Sequence, residues 1–505
     1  MREELDHTRR WLINASGAAI LSSAIPIDAS HAQTAVTTPR SAERASSDLP
    51  EGLATDRTSI SPHTAALADY VAGTLDRELP AAAAARTKLH ILDTIAAMVS
   101  GSRLKPGTFA ARYVDSIGGK PQAMVIGTSL LTSAVNAALA NAMAAHADET
   151  DDTNPVGPFH AGCGTLAAAL ATGELAGRSG NDMLRAVALG YDVGARLVMS
   201  LNGARRHSPS PLTTTFSATA AAAAMLRLEP RQVRHAFSYA GQQASGMGYW
   251  TRDGEHIEKS FDFGGMGARN GVMASTMVAL GASGIEDPFA GNENIFTVLA
   301  DKPTPGELVA ELGTRFDVFN TTIKKWSVGS PLQSVLDSVT VLLDDPAVRN
   351  GNIARIAVEI PTESLRIVDN SSIPDLCLQH MVALIITDGG VTFASAHDVD
   401  RMRDPKVLAV RKVVEIVPSE EPQNAVPPRQ AVVRIETADG RGLSHRTYAV
   451  RGTARNPMEA REVEAKALDL MVPVLGAARA NEVIAAVANL ERFGPVSGLR
   501  RLLQA

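Results

Sequence analysis

Two histidines and four carboxylates fall in one short stretch of this chain, HADETDDTNPVGPFHAGCG, from His146 to Gly164. These residue types suit proton transfer and the binding or positioning of cations, because histidine titrates near neutral pH and carboxylates supply fixed negative charge. The stretch is too polar to build a core. It separates two alanine-rich segments, residues 131–145 and 165–176, whose apolar residues recur at helical spacing. The insert is therefore expected at the facing ends of two packed helices. His160 and Gly162 then lie near a helix N-terminus, where the partial positive charge of unpaired N–H groups attracts anions. Asp148, Glu149, Asp151 and Asp152 do not read as a calcium loop, since the spacing lacks the central glycine and the distal glutamate.

The elements that must position this stretch are legible in outline. From residue 62 to about 300 the pattern is helix after helix, broken at Gly-Gly, Gly-Arg-Ser-Gly and Leu-Glu-Pro. Asn181 is read as the cap of the helix DMLRAVALGYDVGARLVM, whose Leu184, Val187, Ala188 and Tyr191 share a face. Pro230 opens RQVRHAFSYAGQQA, where proline costs no internal hydrogen bond. After about residue 320 the period changes. Segments 354–360, 412–417, 431–440 and 445–450 alternate or run β-branched and read as strands, with hairpin punctuation at Ala438-Asp439-Gly440. Helices are expected at 330–343 and 376–387 between them, and at 457–475 and 480–491 to finish the chain. The fold class is mainly α, with a large all-helical domain (61–320, completed by 456–505) and a smaller α/β domain (321–455).

Composition removes several alternatives. At 505 residues the chain can bury two cores without disulfides. Its two cysteines, Cys163 and Cys377, cannot hold an iron–sulfur cluster or a structural zinc. A net charge of -6, with acids and bases interspersed, gives no basic stripe for nucleic acid. Alanine abundance and only 4% aromatic residues favour close helix packing over stacking platforms. At the N-terminus Thr8-Arg9-Arg10-Trp11-Leu12-Ile13 precedes a moderately apolar run and a small-residue stretch ending Ser30-His31-Ala32. This pattern resembles a twin-arginine export signal, residues 1–32, followed by a flexible leader, 33–60. The run is too short for a permanent membrane anchor, so a periplasmic or secreted protein is expected. A tail with two chance arginines, and hence a cytoplasmic protein, is the plainer alternative.

The order of motifs resembles the MmgE/PrpD family, which includes 2-methylcitrate dehydratases, cis-aconitate decarboxylases and an iminodisuccinate epimerase. HADETDD and HAGCG are similar to the family's H-x-x-D-x-D-D and H-P-G, and GELAGRSG and GYDVGAR follow in the family's order. Three later segments fit as well: AAAAAMLRLEPRQVRHAFSYAGQQASGM, EKSFDFGGMGARNGVMASTMVALG and TTIKKWSVGSPLQSVLDS. The likeness spans most of residues 60–500. It implies a homodimer, a small polycarboxylate substrate, and chemistry without cofactor or metal.

Removing a proton beside a carboxylate, or losing carbon dioxide, builds negative charge on a molecule that is already a polyanion, so fixed cations and a positioned base are needed. By resemblance, His160, His207, Lys259 and Lys324 are the catalytic candidates. Asp151, Asp152, Thr153 and Lys325 are the candidates for substrate binding. Each has a plainer alternative: most lysines are simply solvated, and an isolated histidine is more often structural. A protonated histidine is expected next to the acidic loop. The sequence departs from the family in three places. Ala161 stands where the family has proline, Asp262 stands near the family's histidine, and residues 378–386 (LQHMVALII) carry His380 but no tyrosine. Carboxylate chemistry is thus better supported than any named substrate. A dehydratase or decarboxylase is the first reading, an epimerase or isomerase acting by α-proton abstraction the second, and an exported carboxylate-binding protein without turnover the third.

Overall fold

Alanine sets the spacing of the larger core. The helix Pro209–Met225 (PSPLTTTFSATAAAAAM) is buried from Ser210 to its last residue and lies among helices Ala161–Ala176, Gly180–Leu201 and Met266–Ala279. Its buried hydroxyls do not go unpaired: Thr213, Thr215 and Thr219 donate to the carbonyls of Pro209, Pro211 and Thr215, four residues back. A polar side chain that satisfies its own helix can be buried at little cost. The neighbouring backbone comes equally close. A Cβ added at Gly271 would stand 2.5 Å from the Thr219 backbone nitrogen, so glycine there permits the contact. The computed structural model describes residues 60–155, 159–202, 208–243 and 245–504. The expected export signal and all but the last residue of the leader lie outside them.

A second core forms around a four-stranded sheet in the order Val414–Ser419, Ile353–Pro361, Ala431–Thr437, Gly442–Thr447. The first pair is parallel and the others antiparallel, with Val358 opposite both Ile416 and Val433. Helices Gln333–Leu342 and Leu378–Asp388 cover it through Val335, Leu336, Met381 and Ile385. The hairpin turns tightly at Gly440, whose φ is +85°, and Thr437 donates its N–H to Arg441. Pairing therefore resumes at Gly442, and the last strand precedes the expected 445–450. The fold is mainly α with this smaller α/β region.

The chain then returns to the first core. Helices Ala460–Leu475 and Ala477–Ala488 pack on Ala81–Gly101, burying Val463, Leu470, Met471 and Val483 with the residues of the first helices. One cap differs from expectation. Ser179, not Asn181, starts the helix Gly180–Leu201: its Oγ accepts from the Asp182 N–H, and its own N–H donates to the Asp182 carboxylate. Reciprocal capping of this kind satisfies two orphan donors, which a lone asparagine two residues further on cannot. Among the described residues no helix is long and apolar enough to cross a membrane.

Replacing Gly271 by Ala should drive the helices Met266–Ala279 and Pro209–Met225 apart, at a cost of about 1–3 kcal/mol. An unchanged midpoint of urea unfolding would show that this contact is not tight.

Candidate active site

The flagged stretch is folded into the protein. The helix Ala134–Ala145 ends at His146, and Ala147 to Asn154 are buried. Local hydrogen bonds shape the turn: Asp148 accepts from the Thr150 N–H at 3.0 Å and from its hydroxyl at 2.6 Å. Thr153 pairs with Thr322 through two backbone hydrogen bonds, 3.0 and 2.9 Å, which delivers Lys324 to the same place. From the other side Lys466, on the Ala460–Leu475 helix, donates to the Thr150 carbonyl at 2.9 Å and pairs with Asp93 at 2.6 Å.

Asp152 takes the helix end that seemed free for an anion. Its Oδ1 accepts the Gly162 N–H at 2.9 Å, at the start of Ala161–Ala176, and Oδ2 faces His90 at 2.7 Å and the Tyr191 hydroxyl. A Cβ at Gly162 would stand 2.7 Å from that hydroxyl, which explains the glycine. This dipole is already compensated.

Asp151 ties the imidazoles together. One of its oxygens accepts from His146 Nδ1 at 3.0 Å and His160 Nδ1 at 2.8 Å, with the Lys324 ammonium 3.9 Å away. Burial would raise this carboxyl, but the two imidazoles outweigh it and hold it well below the usual range. Burial also pushes His160 down to about 4, the attraction of Asp151 offsetting it only in part. His160 is therefore neutral at pH 7, and the protonated histidine expected beside the acidic loop is a different one, His397 on Asp148. With Nδ1–H directed to Asp151, its Nε2 lone pair is left for the cavity it lines. The ligand atoms of His146, Asp151 and His160 lie within 4.8 Å of one another, a spacing that also suits a metal ion. Lys324 already supplies positive charge beside the shared oxygen.

Glu149 organises the lysines. Its carboxylate pairs with Lys259 Nζ and lies 3.7 Å from Lys324 Nζ, which also donates to the Glu149 carbonyl at 2.6 Å. Burial opposes its ionisation, yet Lys259 and Lys324 keep it charged well below the ordinary range. Lys259 is carried by the short helix Ile257–Ser260, which runs into a widened turn at Phe261–Gly265. That turn presents Phe263, whose ring stacks on His146 at 4.9 Å and meets Trp250 at 5.0 Å. Lys259 Nζ lies 5.3 Å from the centres of both the Trp250 and Phe263 rings.

His160, Glu149, Lys259, Thr153, Trp250 and Phe263 line a cavity of about 670 Å³, and Lys324 lines an adjoining one of about 300 Å³. The structure thus gathers His160, Lys259, Lys324 and Thr153. Asp151 and Asp152 are wholly buried and face protein groups, Asp151 through Oδ1 alone with its Oδ2 unpaired, so they position the site. Lys325 turns away and sits 4.2 Å over the Trp326 ring. His207 lies outside the described residues. Asp262 and His380, at two of the three departures from the family pattern, line neither cavity. Burial, with Glu258 adding to it, lifts the Asp262 carboxyl to about 7. Burial lowers the His380 imidazole to about 4, and neither of its ring nitrogens has a hydrogen-bond partner.

Three histidines bound to this loop, His90, His256 and His397, were not found from sequence. His256, one turn before Lys259, lies 5.3 Å from His146, and that spacing was the available signal. Burial, helped by Lys259, lowers it to about 3. His397 left no local trace. It comes from the α/β side and pairs with Asp148 at 2.9 Å, with Asp375 4.0 Å away. Burial works against its charge, but Asp148 prevails and raises it to about 9. A raised histidine stabilises the fold below its unfolded value near 6.5 and loses that contribution as pH climbs through about 9. His397→Gln should therefore destabilise most at or below pH 6.5, with the difference from wild type vanishing above pH 9. A pH-independent difference in unfolding midpoint would contradict the ion pair.

Two family descriptions match this chain: the MmgE/PrpD N-terminal domain over residues 65–308 and the MmgE/PrpD C-terminal domain over residues 326–492. No curated protein gave a match. The first match holds the loop, both imidazoles and Lys259, while the second begins just after Lys324 and Lys325. Together they span most of the chain, which belongs to the MmgE/PrpD family of dehydratase-type lyases and isomerases.

Proposed function

We propose that this protein is a cofactor-independent lyase, a dehydratase or decarboxylase, acting on a small di- or tricarboxylate. The observation that carries the reading is His160: a neutral imidazole on a cavity wall, its tautomer set by Asp151. A base must be unprotonated and open to the substrate, and a neutral His160 on the cavity wall supports both. In this mechanism Nε2 takes a proton from the carbon next to a substrate carboxylate. The negative charge that develops on that carboxylate is met by Lys259 and Lys324, preorganised by Glu149. In a dehydratase the β-hydroxyl then leaves and takes up a proton as water; in a decarboxylase no proton is removed first, because carbon dioxide leaves its electron pair on the carbon, where the lysines meet the charge, and that carbon then takes up a proton. Return of a proton to the opposite face would instead make the protein an epimerase, which shares the first step with the dehydratase.

Proton NMR in heavy water with citrate, methylcitrate, cis-aconitate and amino-dicarboxylates separates these readings. Deuterium entering without a net product supports the epimerase, and a new vinyl signal supports the lyase. His160→Asn should slow exchange by roughly 10²–10⁴-fold. In wild type, kcat/KM should rise with pH through about 4 and then stay level toward neutrality, as the depressed imidazole requires. Wild-type exchange in His160→Asn would remove the base, and silence with every acid would remove the enzyme.

Export and a homodimer complete the proposal. Changing Arg9 and Arg10 to Lys should hold a precursor in the cytoplasm, and unchanged delivery would rule out the twin-arginine route.

A further inference from the structure

Lys259 and Lys324 face Glu149 and Asp151, so the two ammonium groups are matched by two buried carboxylates before any substrate arrives. A polyanion entering the cavity needs a cation that is not already spent. The α/β side supplies one. Parallel and antiparallel pairing in the sheet puts the end of strand Ile353–Pro361 beside the start of Ala431–Thr437, with Glu359 opposite Val432. Pro361 and the residues just before Ala431 therefore meet at one end of the sheet, along the edge formed by the strand termini, and both line the large cavity.

Arg429 stands at this edge, on the wall common to the 670 and 300 Å³ cavities, together with Thr153, Pro155, Ser330 and Pro428. It is partly exposed, and no carboxylate of the described residues comes within 4.0 Å of its guanidinium. Burial lowers its pKa, and the longer-range attraction of Glu149 and Glu363, which line the same cavity, works the other way. Its φ of +65° is a left-handed conformation that a long side chain adopts only where the surroundings impose it, and such strain gathers at ligand sites. Arg366 lines the same cavity with more exposure.

We infer that Arg429 is the specificity-determining anchor for a second substrate carboxylate, one remote from the carbon whose proton His160 removes. The planar fork of a guanidinium fits a carboxylate in two places at once, which a lysine already paired to Glu149 cannot offer. The lysines then respond to charge that develops during reaction, while Arg429 holds charge present throughout. The substrate class is an acid with at least two carboxylates set apart, and monocarboxylates bind without this contact. This inference rests on the proposed carboxylate chemistry.

The test compares wild type, Arg429→Met and Arg429→Lys on cis-aconitate and citrate against 2-butenoate, by deuterium exchange and by the thermal shift each acid produces. Arg429→Met should raise KM for the tricarboxylates on the order of 10- to 100-fold. Its kcat should change little, and 2-butenoate should be handled as by wild type. Arg429→Lys should recover part of the loss. Equal loss on all three acids, or none, would overturn the anchor; a variant that fails to fold loses all three together, and Arg429→Lys then decides by the same ratio. Failure of the wider reading looks different. Wild type itself would neither exchange nor gain thermal stability with any acid, and the anchor would fall with it. Wild type that binds citrate without exchange leaves the thermal shifts to decide on Arg429.

Discussion

One buried carboxylate oxygen, on Asp151, accepts hydrogen bonds from two imidazoles and lies near an ammonium group. Isolated, such a charge would cost several kcal/mol to remove from water. It is tolerated because His146, His160 and Lys324 arrive from different parts of the chain and surround it. Each partner in turn constrains the fold: the end of one helix, the start of the next, and a segment brought in by backbone pairing of Thr153 with Thr322. The charge cluster and the helix packing are thus mutually dependent. Close approach of alanine-rich helices supplies the dry setting, and the cluster supplies the paired groups that such a setting requires.

The same low polarity sets the chemistry. In water His160 beside Asp151 would be stabilised as a cation; here desolvation wins and the ring stays neutral, with its proton on the nitrogen that faces the carboxylate. Asp148 with His397 shows the opposite balance, because a carboxylate 2.9 Å away offsets the burial and keeps the imidazole charged. Two histidines bound to one loop therefore hold different charges at neutral pH. One is available as a base, and the other fastens the loop to the α/β side.

The two cores give the cavity its asymmetry. The helical side contributes His160 and Lys259, held by the buried carboxylates Asp151 and Glu149. The α/β side contributes the ends of strands and the turns beside them, including Arg366 and Arg429. Lys466 carries the end of the chain back to the Thr150 carbonyl, so the loop is secured from the last helices as well. In the proposed reading, the reacting groups sit on the well-packed side and the residues that meet the rest of a ligand sit on connections, where sequence can vary without disturbing a core.

Much of this was legible in the residues themselves. Helical period up to about residue 300, strand patterns after 320 and the punctuation at Gly440 follow from local stereochemistry, which the chain carries with it. The loop at 146–164 stood out because no core can be built from it, and the motif order pointed to His160, Lys259 and Lys324. Asn181 was misread as a cap because Ser179 with Asp182 forms a better one, a contest between neighbours that spacing alone does not decide. The motif order favoured Lys324 over its neighbour Lys325, but it is the pairing of Thr153 with Thr322 that brings the first inward, while the second lies on Trp326. His397 and Arg429 gave no signal, since their importance comes from what lies opposite them across hundreds of residues. The sequence by itself determined which elements form and which groups are able to carry charge or protons. Tertiary structure alone decided which of those groups are charged, because that depends on burial and on partners that only folding brings within a few ångströms.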